Sequence, residues 1–222
     1  MPDAAVIVLA AVLLILLLCF EKGKQRKGMV LTKAPLSILF IVALLLQPLW
    51  IPPLARSLLA GMILCLAGDV CLALPQNRMF LAGLIAFLLA HVCYIFGFFW
   101  VAGAGLYTWI GAIPTLAVSV GIYVWLRPHL GSMKVPVLLY VVVISVMVLG
   151  AWSVLGEGNL TLRGRIMVFM GAVSFYLSDM FVARDRFLKK EFLNRLAGLP
   201  LYYAGQFILA FSAGFLKQGL SA

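Results

Sequence analysis

Two acidic residues stand inside long apolar runs of this chain: Asp69 in LCLAGDVCLAL (64–74) and Asp179 in SFYLSDMFVA (174–183). A charged side chain left facing lipid costs at least ~2.5 kcal/mol, so each carboxyl is expected to face protein or a water-filled pocket. Two carboxyls brought within a few ångströms supply one neutral acid and one ionised base, because neighbouring like charges resist ionising together. The competing reading is structural, with each aspartate capping a helix or pairing with an interfacial Lys or Arg. Spacing bears on the choice. Gly61, Cys65, Gly68 and Asp69 share one small-residue helix face, and Gly171, Ser174, Ser178 and Asp179 share another. Small faces allow close helix approach, which predicts that the two carboxyl-bearing helices meet.

Other polar side chains interrupt apolar runs nearby. LLAHVCYIF contributes His91 and Tyr94, and LPLYYAGQFILA contributes Tyr202, Tyr203 and Gln206. Tyr202 and Gln206 are four apart and share a helix face. The tyrosines read either as site residues or as an interfacial aromatic belt. Gln206 carries an amide that needs a partner in lipid, and His91 reads equally as a satisfied interior histidine or a functional one. Lys33 in LTKAPLS, and Asn77 with Arg78 in PQNRMF, fall near a membrane boundary, where they set topology or contact headgroups.

Something must hold these residues in place, and the composition says what. The chain has 222 residues, 65% hydrophobic and only 11% charged, which no soluble domain of this size could bury. A span needs about 20 apolar residues. By that rule the sequence predicts a single all-α polytopic membrane domain over 1–222. Its eight transmembrane helices are expected at about 4–20, 34–51, 55–74, 79–101, 109–126, 135–155, 165–183 and 198–216. The first run begins MPD, lacks a basic n-region and has no A-x-A site, so it is read as a span rather than a signal peptide.

The 17 Lys and Arg residues divide unevenly. Lys22, Lys24, Arg26, Lys27, Lys33, Arg78, Arg127, Lys134, Arg184, Arg186, Lys189, Lys190 and Arg195 follow odd-numbered spans. Only Arg56, Arg163, Arg165 and Lys217 lie on the other side. The positive-inside rule then places both termini on the non-cytoplasmic side. Asp69 and Asp179 each sit about 6–8 Å below the inner boundary, at one depth, with the span-eight tyrosines beside them. His91 is expected deeper, about 16–20 Å in, where it reaches Asp69 only through tilt, a kink or water. The short loops point to a bacterial cytoplasmic membrane.

A net charge of +10 invites a nucleic-acid reading, but the basic residues occupy the gaps between spans and no nucleic-acid motif accompanies them. Cys19, Cys65, Cys71 and Cys93 all lie in apolar runs without CxxC or ligand-spaced histidines, so neither a disulfide framework nor a metal site is predicted. No GxSxG, HExxH or Walker loop is present. No cofactor is predicted, and the sequence points to no particular protein partner. A weak regularity remains: Gly61, Gly83, Gly171 and Gly198 each stand eight residues before Asp69, His91, Asp179 and Gln206, the mark of a parallel repeat or a coincidence of abundant glycine.

LAGDVCLAL, FLAGLIAFLLAHVCYI, GAVSFYLSDMFVARDRF and LYYAGQFILA, in that order over roughly 60–210, resemble the YhhN-like, or lysoplasmalogenase, family of eight-span membrane proteins. The family's Lys-Pro element before span two appears here as Lys33–Ala34–Pro35, one residue looser. The resemblance implies hydrolysis of the vinyl ether of a lysophospholipid substrate, with Asp69 and Asp179 as the catalytic pair. His91, Tyr94, Tyr202, Tyr203 and Gln206 would orient groups, and Lys33, Asn77 and Arg78 would lie near the headgroup. The alternative is a lipid or proton-coupled transporter using the same buried aspartates.

Overall fold

The computed structural model describes residues 2–217 and is built from eight long helices. They are α1 Pro2–Lys22, α2 Arg26–Leu45, α3 Pro52–Ala73, α4 Asn77–Ala102, α5 Leu106–Leu126, α6 Lys134–Gly156, α7 Leu162–Ala183 and α8 Phe192–Phe215. All eight are long and apolar enough to cross a bilayer. Their outward faces carry many exposed large apolar side chains, among them Ile113, Leu116, Trp100 and Val135. Water would penalise such a surface and acyl chains would not.

Most helix limits fall near the hydropathy boundaries, but α2 does not. Its expected range, 34–51, becomes Arg26–Leu45. At the start, RKGMVLTK is helical because Lys, Arg, Met and Leu favour helix and a helix need not stop where the hydrocarbon does. Thr32 also donates back to the Gly28 carbonyl at 2.7 Å. At the far end Gln47 precedes Pro48, and a residue before proline is driven out of the α region. The apolar stretch PLWI therefore forms a connection, with Trp50 donating to the Gly214 carbonyl at 3.2 Å and Gln47 to Asp3 at 3.0 Å. Likewise α8 starts at Phe192, six residues before its expected limit of 198.

Helix neighbours follow a repeating order. In the first half α1 packs on α2, α2 on α3 and α3 on α4; in the second, α5 packs on α6, α6 on α7 and α7 on α8. The halves join through α2–α8 and α4–α6, contacts that interconvert when the halves are exchanged, and the first half also meets α8 through α1 and α3. The bundle is thus two four-helix halves with the same internal packing order. Its closest packings are the α3–α4 and α7–α8 hairpins. A Cβ on Gly61 would lie 2.2 Å from the Tyr94 ring, and one on Gly171 would lie 3.0 Å from the Gly205 carbonyl.

This corrects one expectation. The small faces of α3 and α7 do not bring those two helices together as neighbours. Each is spent on the following helix, where glycine lets an aromatic ring or a backbone lie against the helix axis. Asp69 and Asp179 reach a shared space from separate hairpins instead.

Candidate active site

The ends of α3 and α7 and the starts of α4 and α8 lie at one end of the bundle, its basic end, where the basic residues of the connections cluster. A cavity of about 1120 Å3, its open mouth included, has walls from every helix except α1. The walls are mostly apolar, with Leu84, Phe87, Ile122, Val141 and Ile144 among them. Four charged side chains line it: Lys33, Asp69, Asp179 and Arg195.

Asp69 is 2% exposed and held by two hydrogen-bond donors and one cation. Ser37 of α2 donates to Oδ2 at 2.7 Å, and Tyr202 of α8 donates to the same oxygen at 2.6 Å. Lys33 Nζ stands 3.8 Å from Oδ1. Lys33 and Ser37 are one helical turn apart, so a single face of α2 presents both to the carboxyl. The one-residue looseness of Lys33–Ala34–Pro35 does not keep the lysine away.

Asp179 has different surroundings. Tyr140 of α6 donates to its Oδ2 at 2.6 Å, and His91 Nε2 lies 3.8 Å from the same oxygen. The carboxyl is 18% exposed, while the His91 ring is fully buried. That ring packs at a tilt on Phe175, with centroids 4.6 Å apart, and edge-on to Tyr140 at 5.4 Å. His91 was expected deeper than the aspartates, reaching Asp69 only through tilt, a kink or water; its carboxylate neighbour is Asp179 of α7, because α4 packs on α6, whose Tyr140 holds that carboxyl.

The remaining predicted residues separate into two groups. Tyr94, Gln206 and Cys65 form a buried chain: Tyr94 donates to the Gln206 carbonyl oxygen at 2.9 Å, and the Gln206 amide donates to Cys65 Sγ at 3.4 Å. Cys65 and Gln206 are each one turn deeper than Asp69 and Tyr202, so this chain answers the demand of an amide in lipid without touching the cavity wall. Tyr203 packs against Tyr202 and Phe40, with centroids at 4.8 and 6.5 Å. At the basic end, Asn77 accepts a hydrogen bond from Arg186 at 3.0 Å, and neither Asn77 nor Arg78 lines the cavity.

Three residues at the site were not singled out from sequence. Ser37 and Tyr140 each donate to an aspartate, and Arg195 was counted only as a topology signal. Tyr140 left a trace, as a lone hydroxyl in VLLYVVV six residues into α6, at the depth of Asp179. Ser37 had the weaker sign of standing one turn from Lys33. Asn194, 2% exposed, ties the connection between α7 and α8 together by donating to Asp185 at 3.2 Å and to the Lys189 carbonyl at 2.7 Å, and by accepting from Arg184.

Fold and site together define a multi-pass helical membrane protein with two carboxyls in an apolar intramembrane cavity. The chain belongs to the YhhN family, which its residues 28–213 match. It is 34% identical over 191 residues to the lysoplasmalogenase of Mycobacterium tuberculosis (strain CDC 1551 / Oshkosh), an alignment covering 82% of this chain and 68% of that protein. It is also 34% identical over 158 residues to lysoplasmalogenase TMEM86B of Rattus norvegicus, covering 70% of this chain and 61% of the rat protein. Over 159 residues it is 32% identical to lysoplasmalogenase TMEM86B of Homo sapiens, covering 71% and 63%. No solved structure matches the chain.

Proposed function

We propose that this protein is a membrane-embedded lysoplasmalogenase, cleaving the vinyl ether bond of 1-alkenyl-glycerophosphoethanolamine or -choline to a fatty aldehyde and the glycerophospho-base. The relatives' names support the activity. One observation carries the mechanism: both oxygens of Asp69 face donors, whereas Tyr140 and His91 both address a single oxygen of Asp179. Two hydroxyl donors and a neighbouring ammonium suit a carboxylate. A carboxyl with one donor in an aromatic setting suits a neutral acid that keeps its other oxygen for the substrate.

Asp179 then gives its proton to the β-carbon of the vinyl ether, producing an oxocarbenium ion beside the Asp69 carboxylate. Asp69 stabilises that cation and takes a proton from the water that attacks it, giving a hemiacetal. In the collapse, Asp69 returns its proton to the departing glyceryl oxygen while Asp179 accepts the hemiacetal hydroxyl proton. Aldehyde and alcohol leave, and both carboxyls are reset. One water is consumed, and the pair works much as the two carboxyls of a glycosidase do. His91 and Tyr140 hold Asp179 in orientation, and Lys33, Ser37 and Tyr202 hold Asp69.

Thirteen of the 17 basic residues lie at the basic end, which supports placing that end in the cytoplasm, with both termini outside, in a bacterial cytoplasmic membrane. A single-chain lysolipid then enters from the inner leaflet. The test is turnover in 18O-labelled water, with the aldehyde trapped by immediate reduction. The label is expected in the alcohol that the aldehyde yields and not in the glycerophospho-base, because water attacks the oxocarbenium carbon. Label in the glycerophospho-base would remove the oxocarbenium route from the mechanism, and flux across proteoliposomes without product would make the protein a transporter.

A further inference from the structure

Two of the four charged groups in the cavity wall are acids that the reaction uses. The other two, Lys33 and Arg195, are cations arriving from different helices, α2 and α8. Each is backed by a carboxylate. Asp69 stands 3.8 Å from Lys33 Nζ, an ion pair beyond hydrogen-bond length, and Asp185 accepts from Arg195 at 2.9 Å. Lys33 is 2% exposed, so its ammonium is nearly removed from bulk water. Like charges presented to one apolar cavity repel with little screening, and an anion between them relieves the repulsion.

Donor capacity is left for such an anion. A guanidinium carries five N–H groups and an ammonium three, and the carboxylates behind them do not use all of these. The depth also fits. Arg195 precedes Tyr202 by seven residues, about 10 Å of helix rise toward the basic end, and Tyr202 touches Asp69. In a lysoplasmalogen the phosphorus is five bonds from the ether oxygen, on the side away from the alkenyl chain. With the ether at the aspartates and the chain among the spans, the phosphate falls toward Arg195.

Resting on the lysoplasmalogenase reading, we propose that Lys33 and Arg195 form a subsite for the phosphodiester of the substrate, with Arg195 as its headgroup-side anchor. Asn194 and Asp185 place Arg195: Asn194 donates to one oxygen of Asp185, and Asp185 accepts Arg195 on the other. Headgroup binding is therefore assigned to α8 and α2 rather than to Asn77 and Arg78.

The experiment measures aldehyde release in neutral detergent micelles from 1-alkenyl-glycerophosphoethanolamine and from 1-alkenylglycerol, which lacks the phosphate. The ratio of kcat/KM for the two substrates is compared in the wild type, Arg195→Gln, Arg195→Lys and Asp185→Asn. Loss of one charge-assisted contact should shrink the ratio about tenfold in Arg195→Gln, through KM for the phospholipid. Arg195→Lys should restore most of it, and Asp185→Asn, which loosens the hold on the guanidinium, should shrink it less than Arg195→Gln does. An equal fall for both substrates in Arg195→Gln would make Arg195 a brace of the α7–α8 connection and overturn the proposal. A dependence on Arg195 that emerges only when anionic lipid is added to the micelles would assign it to bulk headgroups and overturn it too. Failure of the wild type to release aldehyde from either substrate would instead remove the reading beneath.

Discussion

Tyr202 and Asp69 are 133 residues apart in sequence and joined by a 2.6 Å hydrogen bond from the phenol to Oδ2. The second carboxyl has a matching relationship, Tyr140 to Asp179 at 2.6 Å. In each case a tyrosine on a different helix fixes an aspartate, but the rest of the two environments differ.

That difference predicts unequal effects of two similar substitutions. Tyr202→Phe weakens a carboxylate's support and should lower kcat at least tenfold, since a hydrogen bond to a charged group contributes about 1.5–3 kcal/mol. Tyr140→Phe acts on a neutral acid and should cost less. Steady-state kinetics on both variants, with melting curves to check folding, measure the order. A larger loss in Tyr140→Phe would reverse the assignment of acid and carboxylate.

Replacing either aspartate should be more severe. General acid–base catalysis contributes about 10²–10⁴-fold, so Asp69→Asn and Asp179→Asn should each lose activity within that range. Asp179→Asn lacks the proton donor altogether. Its residual turnover should rise steadily as pH falls, because hydronium must then supply the proton to carbon, and a pH–rate profile checks this.

Lys33 and Asp69 should be energetically coupled. Lys33→Met keeps the apolar stem but leaves a buried carboxylate without its cation. A large loss of activity is expected, and adding Asp69→Asn should cost little more. A double-mutant cycle measures this; additive losses would mean that the 3.8 Å pair does not act as a unit.

Gly205 tests the packing of the α7–α8 hairpin. A Cβ there would lie 2.9 Å from the Gly171 carbonyl oxygen and 3.1 Å from the Phe175 nitrogen, backbone atoms that cannot rotate away. Gly205→Ala should destabilise by about 1–3 kcal/mol through overpacking. Nothing lies within 4 Å of a Cβ on Gly121, so Gly121→Ala serves as the control and should leave Tm unchanged in a detergent melt.

One acid outside the spans carries a pH prediction. The Lys189 ammonium, 2.5 Å from Glu191, and then Arg184 hold the Glu191 carboxyl below its usual 4.5. A depressed folded value adds stability that is complete above that usual value and disappears as pH falls through the depressed one. Glu191→Gln should therefore lower Tm slightly at pH 7, as surface pairs do, and the difference should fade as pH drops below the usual carboxyl value and through the depressed one.

Much of this protein is local and so open to reading from one dimension. Apolar run lengths mark eight helices, and the uneven Lys and Arg distribution orders the connections. A lone carboxylate in LAGDV or LSDM announces itself because lipid tolerates none unpaired. The α2 limits were misread for an equally local reason: hydropathy registers PLWI but not the backbone constraint of Pro48.

Partnership belongs to the tertiary structure. Nothing in the spacing of Gly61 and Gly68 says whether their face meets α4 or α7, because any helix with a complementary surface satisfies it. Which tyrosine serves which aspartate, and that His91 neighbours Asp179, depend on two halves docking through α2–α8 and α4–α6. Residue types and depths were set by the solvent each segment must enter. The site emerged only when side chains from different halves had to fill and hydrogen-bond the same buried space, a condition imposed by close packing and not by sequence neighbours.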